Sequence, residues 1–311
     1  MRALLVVNQF ATGTTSEMQS VISAALANQL DLTVVNTTGK LHAFELGKSA
    51  KNNGYELVIG LGGDGTLNEI ANGILENDSK STKPALAGIP GGNANVFLRN
   101  LGYSNDPITA TAQLLTNLER GTTRKIGMGK LTTENQSRWF LFNAGFGLDA
   151  RVLVRMEARR FSGKLASDVA YAFLTLRELF TEIRKVKPNI VITDQNGVAY
   201  EKAQFALIIN LAPWTYVGKL PISPLGKISD TKSLDIFATY QMSVSSALRL
   251  IKDLLSTKNL KSDAQTLVLT DQHSLKLSAY EPTWAQVDGE ALAQVTSAQI
   301  EHFANCLNVI A

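Results

Sequence analysis

The stretch LVIGLGGDGTLNEIANGI, Leu57 through Ile74, constrains the fold more than any other in the chain. An apolar run breaks into glycines packed around one aspartate, then becomes a helix. Leu67, Ile70, Ala71, Ile74 and Leu75 follow an i, i+3, i+4, i+7, i+8 pattern and so share one helical face. A buried strand that turns through bare backbone into an amphipathic helix is half of a βαβ unit, and a parallel sheet is expected. The preceding residues repeat the alternation. ALLVV and LTVVN read as strands, and the helix between them opens with Ser16-Glu17-Met18-Gln19, a capping-box spacing. That helix is expected to bury Val21, Ile22, Ala25 and Leu26. PALAGIP is a fourth strand, followed by a second glycine-rich turn and the short helix NVFLRNLG, with Gly102 at its C′ position. Asp106 as N-cap and Pro107 at N1 begin a further helix that runs to Gly121.

Beyond Thr122 the pattern changes to short β-rich runs: RKIGMGKL, RWFLFNAGF, NIVITD, AQFALIINL, SLDIFATY, TLVLT, SLKLSA and TWAQVDG. Asn196-Gly197 marks a hairpin turn. Helices are expected over Ser167–Glu182 and Val244–Leu255, the second with Val244, Leu248, Ile251 and Leu255 on one face. The expected organisation is an α/β domain over 1–123 and an antiparallel β-sandwich domain with helical insertions over 124–302.

Composition narrows the function. The 311 residues are 45% hydrophobic, enough to bury a sizeable core, and the net charge of +3 does not mark a nucleic-acid binder. Cys306 is the only cysteine, so an intrachain disulfide and a thiolate zinc cluster are excluded, and it reads as a core residue. His42, His273 and His302 are widely separated, without metal-ligand spacing, and read as surface or packing residues. The N-terminal MRALLVVNQF is too short an apolar run for a signal peptide, and no stretch reaches the ~20 apolar residues a membrane span needs. A cytoplasmic protein is expected, with peripheral contact at the inner face of a membrane left open. Nothing in the sequence decides between monomer and homodimer.

Gly60-Leu61-Gly62-Gly63-Asp64-Gly65 fits the dinucleotide pattern G-x-G-x-x-G, but its context is wrong. A complete βαβ precedes it, and the following strand ALAGIP ends without the carboxylate that would bind ribose. No G-x-x-x-x-G-K-[ST] occurs either. What remains is a loop whose amides, at a helix N-terminus, suit phosphate oxygens, with Asp64 as a partner for Mg²⁺ or its waters. The second loop, GIPGGNANVF, repeats the arrangement, and loops at the carboxyl ends of neighbouring parallel strands meet.

Taken in order, Asn8 and Gly13 in VVNQFATG, then GGDGTLNE, IPGGNANVFLRNLG, FNAGFGLDA and VDGE make the chain resemble the diacylglycerol kinase catalytic family, from Asn8 to about Glu290. That family groups soluble bacterial lipid kinases with sphingosine and ceramide kinases. The resemblance implies a nucleotide domain of the phosphofructokinase and NAD-kinase type, a β-sandwich second domain, an active site in the cleft between them, and a tail, about 303–311, that returns to the first domain. It implies that Gly62, Gly63, Asp64, Gly65, Thr66 and Asn68 cradle the ATP phosphates and support Mg²⁺, with Asn8, Gly92 and Asn93 also on the nucleotide. Thr37, six residues before Ala43, matches a nucleotide-contacting threonine. Glu290 matches the general base, which agrees with the need to take a proton from a lipid hydroxyl, and Asp288 is a second candidate catalytic carboxylate at the same spot, with a structural or metal-directed role as the alternatives. Without the family, VDGE would read as an ordinary turn.

Two segments depart from the family's pattern. The usual G-T-x-N-D is here Gly92-Asn93-Ala94-Asn95-Val96, which removes a carboxylate, and the metal-holding D-D-G-x-L-D is replaced by SDTKSLDIF, leaving Asp230 as the candidate ligand. A stripe of Arg151, Arg155 and Arg159 at i, i+4, i+8 offers contact with anionic lipid, and Trp214 and Tyr216 are candidate interfacial anchors or cleft walls. The expected activity is ATP-dependent phosphorylation of a lipid hydroxyl, with diacylglycerol as acceptor. The alternatives are an NAD kinase, which shares the GGDGT loop, and a lipid- or nucleotide-binding protein without turnover.

Overall fold

In the computed structural model the described residues are 1–11, 13–76, 83–147, 187–217, 220–225, 232–241, 243–255 and 259–311. The expected helix over Ser167–Glu182, the stripe of Arg151, Arg155 and Arg159, and Asp230 lie outside them. In chain order the elements are β1 (Arg2–Val7), α1 (Ser16–Ala27), β2 (Asp31–Asn36), α2 (His42–Ala50), β3 (Leu57–Gly62), α3 (Asp64–Glu76), β4 (Ala85–Pro90), α4 (Val96–Asn100), α5 (Pro107–Glu119) and β5 (Thr123–Thr132). There follow β6 (Ser137–Phe140), β7 (Asn143–Gly147), β8 (Ile190–Thr193), β9 (Ala199–Ala203), β10 (Phe205–Ile209), β11 (Thr215–Val217) and β12 (Leu220–Ile222). Last come β13 (Leu234–Thr239), a helix here numbered α6 (Val244–Leu255), β14 (Thr266–Gln272), β15 (Ser274–Val287) and β16 (Glu290–Ile310). The chain divides into one unit of Met1–Met128 with Ala304–Ala311, and another of Gly129–Phe303.

The first unit is built on a parallel sheet in the order β16-β4-β3-β1-β2. All six residues of β3 and five of β1 are buried, as expected of parallel strands covered on both faces. The face of α3 forms as its periodicity requires: Leu67, Ile70, Ala71, Ile74 and Leu75 are all buried. Asp106 caps α5 through the Thr109 amide at 2.7 Å, and Gly102 follows α4 at φ 90°. In α1 the cap is Thr15, not Ser16, since Thr15 Oγ1 accepts from the Met18 amide at 3.2 Å. That register buries Ile22 and Leu26 and leaves Val21 57% exposed, against expectation. Cys306 is half-buried, and burial pushes its thiol pKa up.

The second unit is antiparallel. Its strands run β14-β13-β10-β7-β15-β16, with the hairpin β8–β9 attached to β15, and with β6 paired to β5. Phe140, Phe146, Ile190, Ile192, Ile236 and Leu277 form its core. Asn196-Gly197 makes the β8–β9 turn: Asp194 Oδ1 accepts from the Asn196 and Val198 amides, both at 2.9 Å, and Gly197 sits at φ 83°. RWFLFNAGF is two strands rather than one, interrupted at Leu141 and Phe142, while SLKLSA and TWAQV are one irregular strand. In α6 Ala247 is buried and Leu248, expected on the buried face, is exposed. Trp214 packs against Leu207, Ile209 and Ala212. No helix among the described residues is long and apolar enough to cross a membrane.

Candidate active site

The parallel register aligns the carboxyl ends of four strands in the first unit: Val7 pairs with Asn36 and Leu61, and Gly62 with Pro90. Loops leave the sheet together at this edge and are tied by main-chain bonds. The Asn8 amide donates to Leu61 O at 2.9 Å, Thr37 to Val7 O at 2.8 Å, Gly91 to Gly62 O at 2.8 Å and Gly13 to Gly91 O at 2.9 Å. The two glycine loops touch backbone to backbone. A Cβ on Gly92 would lie 2.7 Å from Gly63 Cα, closer than any side chain permits. Bare backbone is therefore required for the loops to meet at all.

Asp64 joins them. Its two oxygens accept from the Val96 and Phe97 amides, each at 2.9 Å, at the N-terminus of α4. Burial pushes its pKa above the usual carboxylate range, opposed by these two amides and by Arg99. Asp64 thus clamps the two loops together through these amides. The remaining residues of the expected set gather around it. Asn8 Nδ2 donates to Thr66 Oγ1 at 2.9 Å, and Thr66, Thr37 and Asn68 are buried. Asn68 is tied to Asn72, whose Nδ2 donates to Asn68 O at 2.9 Å. Gly65 is partly buried in the first turn of α3, and Asn93 is exposed at the tip of the second loop.

The turn from β15 to β16 in the second unit holds the other two candidates. Asp288 and Gly289 both have positive φ, 48° and 82°, the requirement of a two-residue type I′ hairpin turn. The Asp288 carboxylate accepts from three successive amides, Leu141 at 2.7 Å, Phe142 at 2.9 Å and Asn143 at 3.0 Å. Its own amide donates to Asn143 O at 2.8 Å. This also explains why RWFLFNAGF breaks: amides 141–143 turn aside to bind the carboxylate. Buried and bound by three main-chain donors, the Asp288 carboxylate fastens this turn to residues 141–143. The Glu290 side chain, by contrast, is 45% exposed, with the Arg138 guanidinium 3.4 Å from its Oε2.

Residues 2–131 match the family described as diacylglycerol kinase catalytic domain. Residues 2–131 thus carry a diacylglycerol kinase catalytic domain, the mark of a lipid kinase enzyme. A diacylglycerol kinase of Bacillus subtilis is 24% identical over 82% of this chain and 77% of its own length. The crystal structure of a diacylglycerol kinase from Bacillus anthracis superposes with a TM-score of 0.70 at 22% identity, covering 99% of this chain and 96% of that one. An NAD kinase from Archaeoglobus fulgidus, solved with ATP, shares the fold at a TM-score of 0.54 and 12% identity over 100% of this chain and 94% of its own. The α/β fold with a strand-rich C-terminal part is thus the one expected. The family match ends at residue 131, so Glu290 lies beyond it.

Three groups that shape this kinase's candidate site were not read from the sequence. Asn95, at φ 45°, folds the second loop on itself, its Oδ1 accepting from Gly92 N at 3.0 Å and its Nδ2 donating to Gly92 O at 2.6 Å and Asn105 Oδ1 at 2.7 Å. An Asn directly before a short helix was the available signal. His42 Nδ1 accepts from the Thr38 amide at 3.0 Å, and Glu69 Oε1 accepts from the Leu41 amide at 3.1 Å, fixing the loop after Thr37. Arg138 gave only a weak sign, one charge at the head of WFLFNAGF. Among the described residues no group of three or more metal-ligating side chains occurs.

Proposed function

We propose that the chain transfers the γ-phosphate of ATP to the hydroxyl of diacylglycerol, giving phosphatidic acid. The observation that carries this reading is the backbone contact of the two glycine loops at one sheet edge, clamped by Asp64. Loop amides there offer fixed donors for a triphosphate, and such preorganised donors need no rearrangement as charge develops. Mg²⁺ would come in on the phosphates of ATP and neutralise charge there, since the described residues hold no group of three or more metal-ligating side chains. Asn8, Thr66 and the amides around Gly63 and Gly92 orient the phosphates, and Thr37 bounds the nucleoside side. Glu290 accepts the proton of the acceptor hydroxyl as its oxygen bonds to the γ-phosphorus. The bond from that phosphorus to the β–γ bridging oxygen breaks, and ADP departs with the electron pair. The acceptor is met at a membrane surface.

The test is incubation of the purified chain with labelled ATP, Mg²⁺ and either vesicles carrying diacylglycerol, a sphingoid base or ceramide, or free NAD. Label in phosphatidic acid is expected. Label in another lipid changes the acceptor, label on NAD replaces the reading with NAD kinase, and label in none leaves a protein that binds without turnover.

A further inference from the structure

One short segment of the second unit, residues 138–143, holds both carboxylates of the β15–β16 turn. Its amides at Leu141, Phe142 and Asn143 fix Asp288, and its one guanidinium, Arg138, stands 3.4 Å from Glu290 Oε2. The Arg138 side chain is 17% exposed and that of Glu290 45%, so a largely buried cation reaches toward a carboxylate that water still touches. We propose that Arg138 is a positioning residue for phosphoryl transfer, holding Glu290 in the rotamer from which it meets the acceptor hydroxyl. This rests on Glu290 as the base.

The physical need is specific. Glu290 is the first residue after a glycine turn, and a glutamate there has three side-chain torsions to distribute among rotamers. A base works only within hydrogen-bond reach of the proton it takes. A guanidinium is a rigid planar donor, so it restrains a carboxylate's orientation as well as its charge. At 3.4 Å the guanidinium is at the long end of hydrogen-bond range from the carboxylate, near enough to bias its rotamer. Asp288 makes the contrast within the same turn: three amides at 3.0 Å or less immobilise it.

The experiment measures kcat and KM of the full chain with ATP, Mg²⁺ and diacylglycerol in phosphatidylglycerol vesicles. Arg138→Gln is expected to lower kcat about 10- to 100-fold, within the range general-base catalysis supplies, with KM for ATP changed less than about twofold. Arg138→Lys, which keeps the charge without the fork, is expected to recover at least about a third of the wild-type kcat, and it decides the matter should Arg138→Gln fail to fold. Adding Arg138→Gln to Glu290→Gln should cost no more than about twofold beyond Glu290→Gln alone, since a residue acting through Glu290 has nothing left to position. Multiplying losses in the double variant, or an Arg138→Gln enzyme within about twofold of wild type while Glu290→Gln is inactive, would overturn the positioning role alone. Near-normal turnover by Glu290→Gln would remove the base, and this inference with it.

Discussion

Asp64 and Asp288 answer the same local problem in the two units. Each accepts amides from a loop far away in sequence, 32 and 33 residues on for Asp64 and 145 to 147 residues back for Asp288. An ionised carboxylate is the strongest acceptor for such donors, and an amide side chain cannot replace it, because its NH₂ would face another N–H. Asp64→Asn is therefore expected to do two things at once. It should lower the stability of the first unit by roughly 1–3 kcal/mol, the cost of a buried donor left unpaired, and reduce turnover by at least ~100-fold as the loops part. Urea unfolding and steady-state kinetics on one preparation would check both; turnover lost at unchanged stability would return Asp64 to a purely chemical role. The residue types were legible in the sequence, and their engagement was not. GGDG announces a carboxylate in a phosphate loop, but nothing near Asp64 or Asp288 in the chain says that their partners are amides at 96–97 and 141–143.

Elements with strong periodicity were the easiest to read, and those made by small residues the hardest. The face of α3 follows from five apolar positions, yet α2, HAFELGKSA, gave no clear stripe and was missed. What holds α2 is close approach rather than apolar bulk. A Cβ on Gly73 of α3 would collide with Phe44 O and lie 2.6 Å from Lys48 N, and one on Gly47 would lie 3.1 Å from Ile70 Cα. In an exposed helix Gly→Ala adds up to ~1 kcal/mol of stability. At Gly73 the sign should reverse, with a loss of about 1–3 kcal/mol from overpacking, because backbone on the facing helix cannot yield as a side-chain tip would. Thermal melts of Gly73→Ala decide it, and a raised midpoint would mean the helices separate at little cost. The functional link is direct: α3 begins at Asp64, and Glu69 on it holds the loop after Thr37, so displacement should also raise KM for ATP.

At the scale of the whole chain, the tail that completes the first unit was legible from the family resemblance and not from periodicity. Residues 290–310 alternate weakly and carry many polar side chains, so no strand was expected there from periodicity; the structure forms one strand of 21 residues. Its last residues supply the fifth strand of the parallel sheet, with Val309 in register with Leu86 of β4. Tyr103 Oη donates to Ile310 O at 2.8 Å, and Leu307, Val309 and Ile310 are buried. Removing residues 304–311 would turn β4 into an open edge and return three large apolar side chains to water, each worth about 1.5–3 kcal/mol when fully buried. A loss on the order of 5 kcal/mol is a large part of the stability such a unit has. Because β4 ends at Pro90 and runs directly into the Gly91-Gly92 loop, the deletion should loosen that loop as well as the strand. Hydrogen exchange should then show lost protection at 85–92, with 274–287 in the second unit unchanged, together with weaker ATP binding. Full protection at 85–92 after the deletion would mean that the parallel sheet is complete with four strands and that the tail only rests against it.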